Sequence, residues 1–168
     1  MNIVLTGFMA SGKTAVGKQL AQRRQMPYLD IDETIEKDTG LTVAKIFEKR
    51  GEQAFRDLES AAIKCAAMLD NFVISTGGGA VLRRENIEEL RRRGKIIYLA
   101  AAPETILKRV GNAKTRPLLA KEQDKLGKIK EMLAQREPYY RECDLAIDTS
   151  DLKVSSVVDK IVVFIEGQ

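Results

Sequence analysis

Residues 7–14 read Gly7-Phe8-Met9-Ala10-Ser11-Gly12-Lys13-Thr14, the full pattern G-x-x-x-x-G-K-[ST]. The pattern has a physical purpose only between a strand and a helix, and the flanking residues supply both. Residues 3–6 are a short apolar run with β-branched side chains, which reads as a buried strand. A helical stretch follows over about 13–24. The glycines let the backbone curl until successive N–H groups face inward on a polyanion. The helix that starts there adds the positive end of its dipole. Lys13 is placed to reach the β- and γ-phosphates of a nucleotide, and the Thr14 hydroxyl to ligate Mg²⁺. Gly7, Ala10, Ser11, Gly12, Lys13, Thr14 and Ala15 are therefore the expected phosphate-side contacts.

The rest of the chain alternates in the same way. Strands are expected at 28–30, 72–75, 95–100 and 145–147, and helices at 32–37, 43–50, 52–69, 84–93, 124–135 and 154–165. Gly40 stops one helix, Thr42 caps the next, and Pro103 opens another at its first turn. The run Arg91-Arg92-Arg93 reads as a solvated helix end with Gly94 as its cap. Residues 111–121 lack periodicity and read as a loop. With no repeat or linker, residues 1–168 form one α/β domain, a three-layer αβα sandwich around a parallel sheet. Ligands of such sheets bind beyond the carboxyl ends of the strands.

Composition narrows the function classes. The chain has 28 basic and 24 acidic residues, a net charge of +4. That excess is too mild for a nucleic-acid footprint and suits a protein that holds ATP. Aromatics make up 5% and Trp is absent, so the core must be aliphatic. Cys65 and Cys143 have no metal spacing and are expected as buried small hydrophobes. No apolar run approaches the ~20 residues of a membrane span, and the first residues read as a strand, so a cytoplasmic protein is expected.

Two acids, Asp30 and Asp32, stand at the end of the second strand. At i and i+2 both can project into the crevice. One can hold the water shell of Mg²⁺ and the other can accept a proton from an attacking hydroxyl. Asp32 has a plainer alternative as a helix N-cap. The third strand carries no terminal Asp or Glu, which makes Asp30 the expected metal-side acid. The chain has no His, so Asp32 is the leading base.

These motifs occur in the order seen in shikimate kinases, and the chain resembles that family over nearly all of its length. The resemblance rests on Gly7 to Thr14, Leu29-Asp30-Ile31-Asp32, Phe55-Arg56-x-x-Glu59, Gly77-Gly78-Gly79-Ala80, Arg116-Pro117-Leu118-Leu119 and Arg136-x-x-x-Tyr140. It implies a five-stranded parallel sheet of P-loop kinase topology, close to nucleoside monophosphate kinases, with a lid at about 111–123. It implies transfer of the ATP γ-phosphoryl group to the 3-hydroxyl of shikimate, by a monomer that needs Mg²⁺. Asp32 would bind the shikimate hydroxyls, Arg56 and Arg136 its carboxylate, and Glu59 would support Arg56. Gly77, Gly78 and Gly79 would let backbone N–H groups approach the ring. Arg116 would join Lys13 at the transferring phosphate, and Arg109 with Asp148-Thr149-Ser150 would flank the adenine.

The residue types fit such chemistry independently. A carboxylate is best gripped by planar guanidinium groups. A lid would exclude water and limit wasteful hydrolysis. Tyr139 and Tyr140 read as packing residues. Other readings remain: a kinase for gluconate or a nucleoside monophosphate, or a non-catalytic nucleotide-binding relative. The paired arginines with the triple glycine speak against the first, and the presence of Lys13, Thr14 and Asp32 against the second. A GTPase is disfavoured by the lack of an Asn-Lys-x-Asp segment.

Overall fold

The computed structural model describes residues 1–111, 118–119 and 123–167. Most of the expected lid, with Arg116, lies outside the described residues. Within them a parallel sheet has the order β2-β3-β1-β4-β5, with β1 Asn2–Thr6, β2 Tyr28–Asp30, β3 Val73–Ser75, β4 Gly94–Ala100 and β5 Leu145–Asp148. The central strands read as continuous apolar runs because helices cover both faces. Alternation along β1 divides the core. Ile3 and Leu5 pack with Leu20, Val157 and Ile161 of α1 (Lys13–Arg24) and α7 (Val154–Glu166). Val4 packs on the other face with Ile35 of α2 (Ile31–Thr39), Ile63 of α3 (Val43–Ala67) and Leu90 of α4 (Arg84–Arg91).

Register does the work of placing the site. Leu5 pairs with Ser75, and Ser75 with Asp30. The glycine loop, the acidic pair and the triple glycine therefore leave the sheet at one level, side by side. A helix α5, Pro103–Val110, follows β4, and α6, Lys125–Tyr140, precedes β5.

Several local expectations change. The helices expected at 43–50 and 52–69 keep their break at Gly51, whose φ of 83° and ψ of 169° are non-helical backbone open to glycine, but the second ends at Ala67 rather than at 69. The helix before β4 ends at Arg91, with Arg92 at its cap. Gly94 is instead a buried strand residue, where a Cβ would come within 2.9 Å of the Leu90 carbonyl. Helix α6 runs five residues past 135, through Pro138 to Tyr140. Pro138 removes one helical hydrogen bond, but the buried residues Ile129, Met132, Arg136 and Tyr140 keep one face anchored. Cys65 is exposed and Cys143 half-buried, against the expectation of two buried thiols. Tyr140 packs as expected, whereas Tyr139 is exposed.

Leu5 is fully buried on the central strand. Leu5→Ala should lower unfolding stability by about 2–5 kcal/mol, read as a lower urea midpoint at unchanged m-value.

Candidate active site

Two cavities open at the carboxyl ends of β1, β2 and β3. One, of about 350 Å³, is lined by Lys13, Thr14, Ala15, Asp30, Thr76 and Arg109 among others. The second, of about 300 Å³, is lined by Phe47, Phe55, Arg56, Gly79, Leu118 and Arg136 among others. Met9, Asp32, Gly77 and Gly78 line both. The chain thus builds a polar compartment for phosphates and a second compartment with an arginine pair, with a thin shared wall.

The first compartment is made by the loop between β1 and α1. Gly7, Ala10 and Gly12 all take positive φ, at 144°, 58° and 100°. A side chain at Gly7 would also strike the Leu99 carbonyl, at 2.4 Å. Lys13 folds back and donates to the Gly7 and Phe8 carbonyls, 2.8 Å from each. Arg109 donates to the Ala10 carbonyl at 3.2 Å and to the Thr149 carbonyl at 2.8 Å. The Thr149 hydroxyl lies 3.0 Å from the Ser11 carbonyl it donates to. Ser150 donates its hydroxyl and its N–H to Asp148, and those bonds hold the Asp148 carboxyl below its ordinary range. Of the expected adenine-side residues, Arg109 and Thr149 are therefore fastened to the phosphate loop.

Asp30, not Asp32, caps α2. Its Oδ1 accepts from the Asp32 N–H at 3.0 Å and the Glu33 N–H at 3.3 Å, and its Oδ2 from the Tyr28 hydroxyl at 3.0 Å. Burial, with Asp30 beside it, pushes the Tyr28 hydroxyl up to about 12, so it stays a donor. Because Asp30 takes the cap, the Asp32 side chain is left to line both cavities.

In the second compartment Arg56 and Glu59 form a buried pair, Nη1 to Oε2 at 2.7 Å. Glu59 has no exposed surface and Arg56 is 9% exposed. Burying either charge alone would be costly, so each requires the other. Burial raises the Glu59 carboxyl above its ordinary range, and Arg56, Arg136 and Arg83 oppose that rise. Burial works against the charge of Arg56, but Glu59 and Glu52 raise it on balance. Glu52 is the second partner of Arg56, at 3.2 Å. Arg136, 6% exposed, lies over the Phe8 ring and donates to the Gly78 carbonyl at 3.2 Å.

The triple glycine owes its composition to space. None of the three has positive φ. A Cβ on Gly77 would lie 2.2 Å from Glu59 Oε1 and 2.9 Å from Asp32 Oδ1. On Gly79 it would lie 2.3 Å from Arg56 Nη2, and on Gly78 3.2 Å from the Met9 nitrogen. Protein groups, before any ligand, already crowd the space that a side chain would take at 77 and 79, and Gly78 packs closely on the phosphate loop.

Arg116 lies outside the described residues, and Asp148 and Ser150 line neither cavity; the other expected residues gather around one crevice. Tyr140 at the Gly78 carbonyl and Phe47 and Phe55 in the cavity wall have site positions that sequence reasoning did not assign. The i+4 step from Arg136 to Tyr140 was the available signal. For a metal, Thr14 and Asp30 stand together in the first compartment. One hydroxyl and one carboxylate are a donor set that fits Mg²⁺, which keeps most of its waters and binds through one or two protein ligands plus substrate phosphates.

A shikimate kinase family model matches residues 9–166. The chain is 50% identical to the shikimate kinase of Caldanaerobacter subterraneus subsp. tengcongensis over 161 residues, 96% of this chain and 94% of that one. It is 49% identical to the Thermoanaerobacter pseudethanolicus shikimate kinase, with the same coverage. Among solved structures, shikimate kinase from Acinetobacter baumannii in complex with shikimate superposes with a TM-score of 0.95 at 37% identity, covering 99% of this chain and 93% of that one.

The Arg56–Glu59 pair generates a stability prediction. Glu59→Ala should take away the buried partner of Arg56, keeping the half-exposed Glu52, and lower stability by about 3–5 kcal/mol. Chemical denaturation at neutral pH checks it, and a loss below about 1 kcal/mol would contradict the pairing argument.

Proposed function

The chain belongs to the shikimate kinase family, and we infer that its two cavities divide the ATP-dependent phosphorylation of shikimate between them. The observation that carries the reading is the position of Asp32, the one carboxylate among the described lining residues that borders both cavities. An acceptor hydroxyl beside it faces the phosphate compartment across the thin wall.

Shikimate carries a carboxylate and three hydroxyls. Arg56 and Arg136, on α3 and α6, grip the carboxylate, and the wall residues Asp32 and Gly78 meet the hydroxyl face. The inner N–H groups of the loop and the Lys13 ammonium hold the ATP phosphates. Mg²⁺ bound near Thr14 and Asp30 would neutralise charge on the β- and γ-phosphates. The 3-hydroxyl oxygen bonds to the γ-phosphorus as the bond to the β,γ-bridging oxygen breaks. The hydroxyl proton passes to Asp32 or, with Asp32 orienting it, to solvent. The products are shikimate 3-phosphate and ADP. Catalysis then rests on positioning and charge neutralisation. Arg116 keeps the phosphate role that the family resemblance implies. We place the enzyme in the cytoplasm as a monomer, in keeping with its ATP substrate, its unpaired thiols and the family pattern.

The direct test is ADP release from Mg·ATP, with shikimate, gluconate or AMP as acceptor. Turnover should require shikimate and vanish when EDTA removes the metal. Turnover with gluconate or AMP alone would move the assignment to another acceptor. Arg136→Ala removes a charged contact and should raise KM for shikimate by roughly 10- to 100-fold, with KM for ATP little changed. Equal rises in both would contradict its carboxylate role. Asp32→Asn should lower kcat by about 10²–10⁴-fold while Mg·ADP still binds by calorimetry.

A further inference from the structure

Tyr140 ends α6 and is 1% exposed. Its hydroxyl donates to the Gly78 carbonyl, the same oxygen that accepts from Arg136 at 3.2 Å. A carbonyl has two lone pairs, so one oxygen serves both donors. The Tyr140 ring is itself held. It stacks on Tyr98, with centroids 4.9 Å apart and planes 10° from parallel. Tyr98 in turn donates to Glu137 at 2.7 Å. Burial pushes the Tyr140 hydroxyl up to about 12, against the influence of Arg136, so it remains a donor throughout the working range.

The acceptor of these bonds is the peptide between two glycines, the least restrained kind of peptide in a chain. A trans peptide is planar, with its C=O and the following N–H pointing in opposite directions. Fixing the Gly78 carbonyl toward α6 therefore fixes the Gly79 N–H away from α6. On its other side Gly78 rests against the phosphate loop, where a Cβ would lie 3.2 Å from the Met9 nitrogen. Gly78 and Gly79 both line the acceptor cavity.

We propose that Tyr140 is a positioning residue for the acceptor: its hydroxyl locks the Gly78–Gly79 peptide and, through the shared carbonyl, the Arg136 guanidinium, in the orientation that receives shikimate. This rests on the reading of the second cavity as the shikimate site. Without the hydroxyl, Arg136 becomes the one donor on that carbonyl and the peptide is free to turn.

Tyr140→Phe deletes the donor and keeps the ring. KM for shikimate should rise roughly five- to tenfold, the scale of one hydrogen bond, with KM for ATP and the thermal midpoint little altered. Tyr98→Phe is the control, because it removes a neighbouring hydroxyl that does not touch Gly78. It should leave KM for shikimate unchanged. Normal turnover in the unmodified enzyme, with an unchanged KM in Tyr140→Phe or equal rises in both variants, would overturn this inference alone. No shikimate-dependent turnover in the unmodified enzyme would overturn the site reading and this inference with it. If Tyr140→Phe does not fold, hydrogen exchange at the Gly79 amide of the unmodified enzyme decides. Shikimate should slow that exchange, and an unaffected rate would overturn the proposal.

Discussion

Glu59 lies wholly inside the protein, 2.7 Å from the Arg56 guanidinium and against the backbone of Gly77. That contact organises the acceptor side of the molecule. A buried carboxylate needs a cation, and Arg56 supplies it from one turn earlier on the same helix. The pair then fills the space that side chains at 77 and 79 would require. The glycine segment can lie flat only because its residues have no Cβ, and so it forms a thin partition rather than a thick wall. The loop that holds phosphates touches the opposite side of that partition, at Gly78. The separation between the two cavities is set by packing of the protein's own groups.

The sheet supplies the rest of the alignment. Parallel pairing of β2, β3 and β1 brings Asp30, Ser75 and Leu5 into one row. Three loops of different origin emerge together from that row. Asp30 spends its carboxylate on the start of α2 and on Tyr28, which leaves Asp32 as the acid that faces both compartments. Two neighbouring carboxylates of the same type thus stand in different surroundings.

Much of this arrangement was legible in the residues. The loop motif, the alternation of strands and helices, the acidic pair and the spaced arginines each carry their own physical signal. Other features depend on contacts far apart in the chain and left little local trace. Local chemistry made Asp32 a plausible cap, whereas its cap is Asp30, because the helix begins one residue earlier, at Ile31. The helix expected to stop at 135 runs on through Pro138, because tertiary burial of Arg136 and Tyr140 carries α6 past it. Gly94 resembled a helix stop because a run of arginines precedes it, yet the crowded turn above β4 is what demands glycine. The glycines at 77–79 signal a close backbone approach in the sequence, but no local pattern reveals that Glu59, Asp32, Arg56 and the phosphate loop crowd the same segment. Cys65 fell on the apolar spacing of α3, but it stands at the exposed edge of that face.

In the proposed reading, one acid at a shared wall joins two preformed compartments. A crystal structure with shikimate and a non-hydrolysable ATP analogue bound together tests it most directly. The shikimate carboxylate should lie between Arg56 and Arg136. The 3-hydroxyl should lie beside Asp32, about 3–3.5 Å from the γ-phosphorus and in line with the leaving oxygen. A shikimate molecule seated away from the two arginines, or with the 3-hydroxyl turned from Asp32 toward solvent, would contradict it.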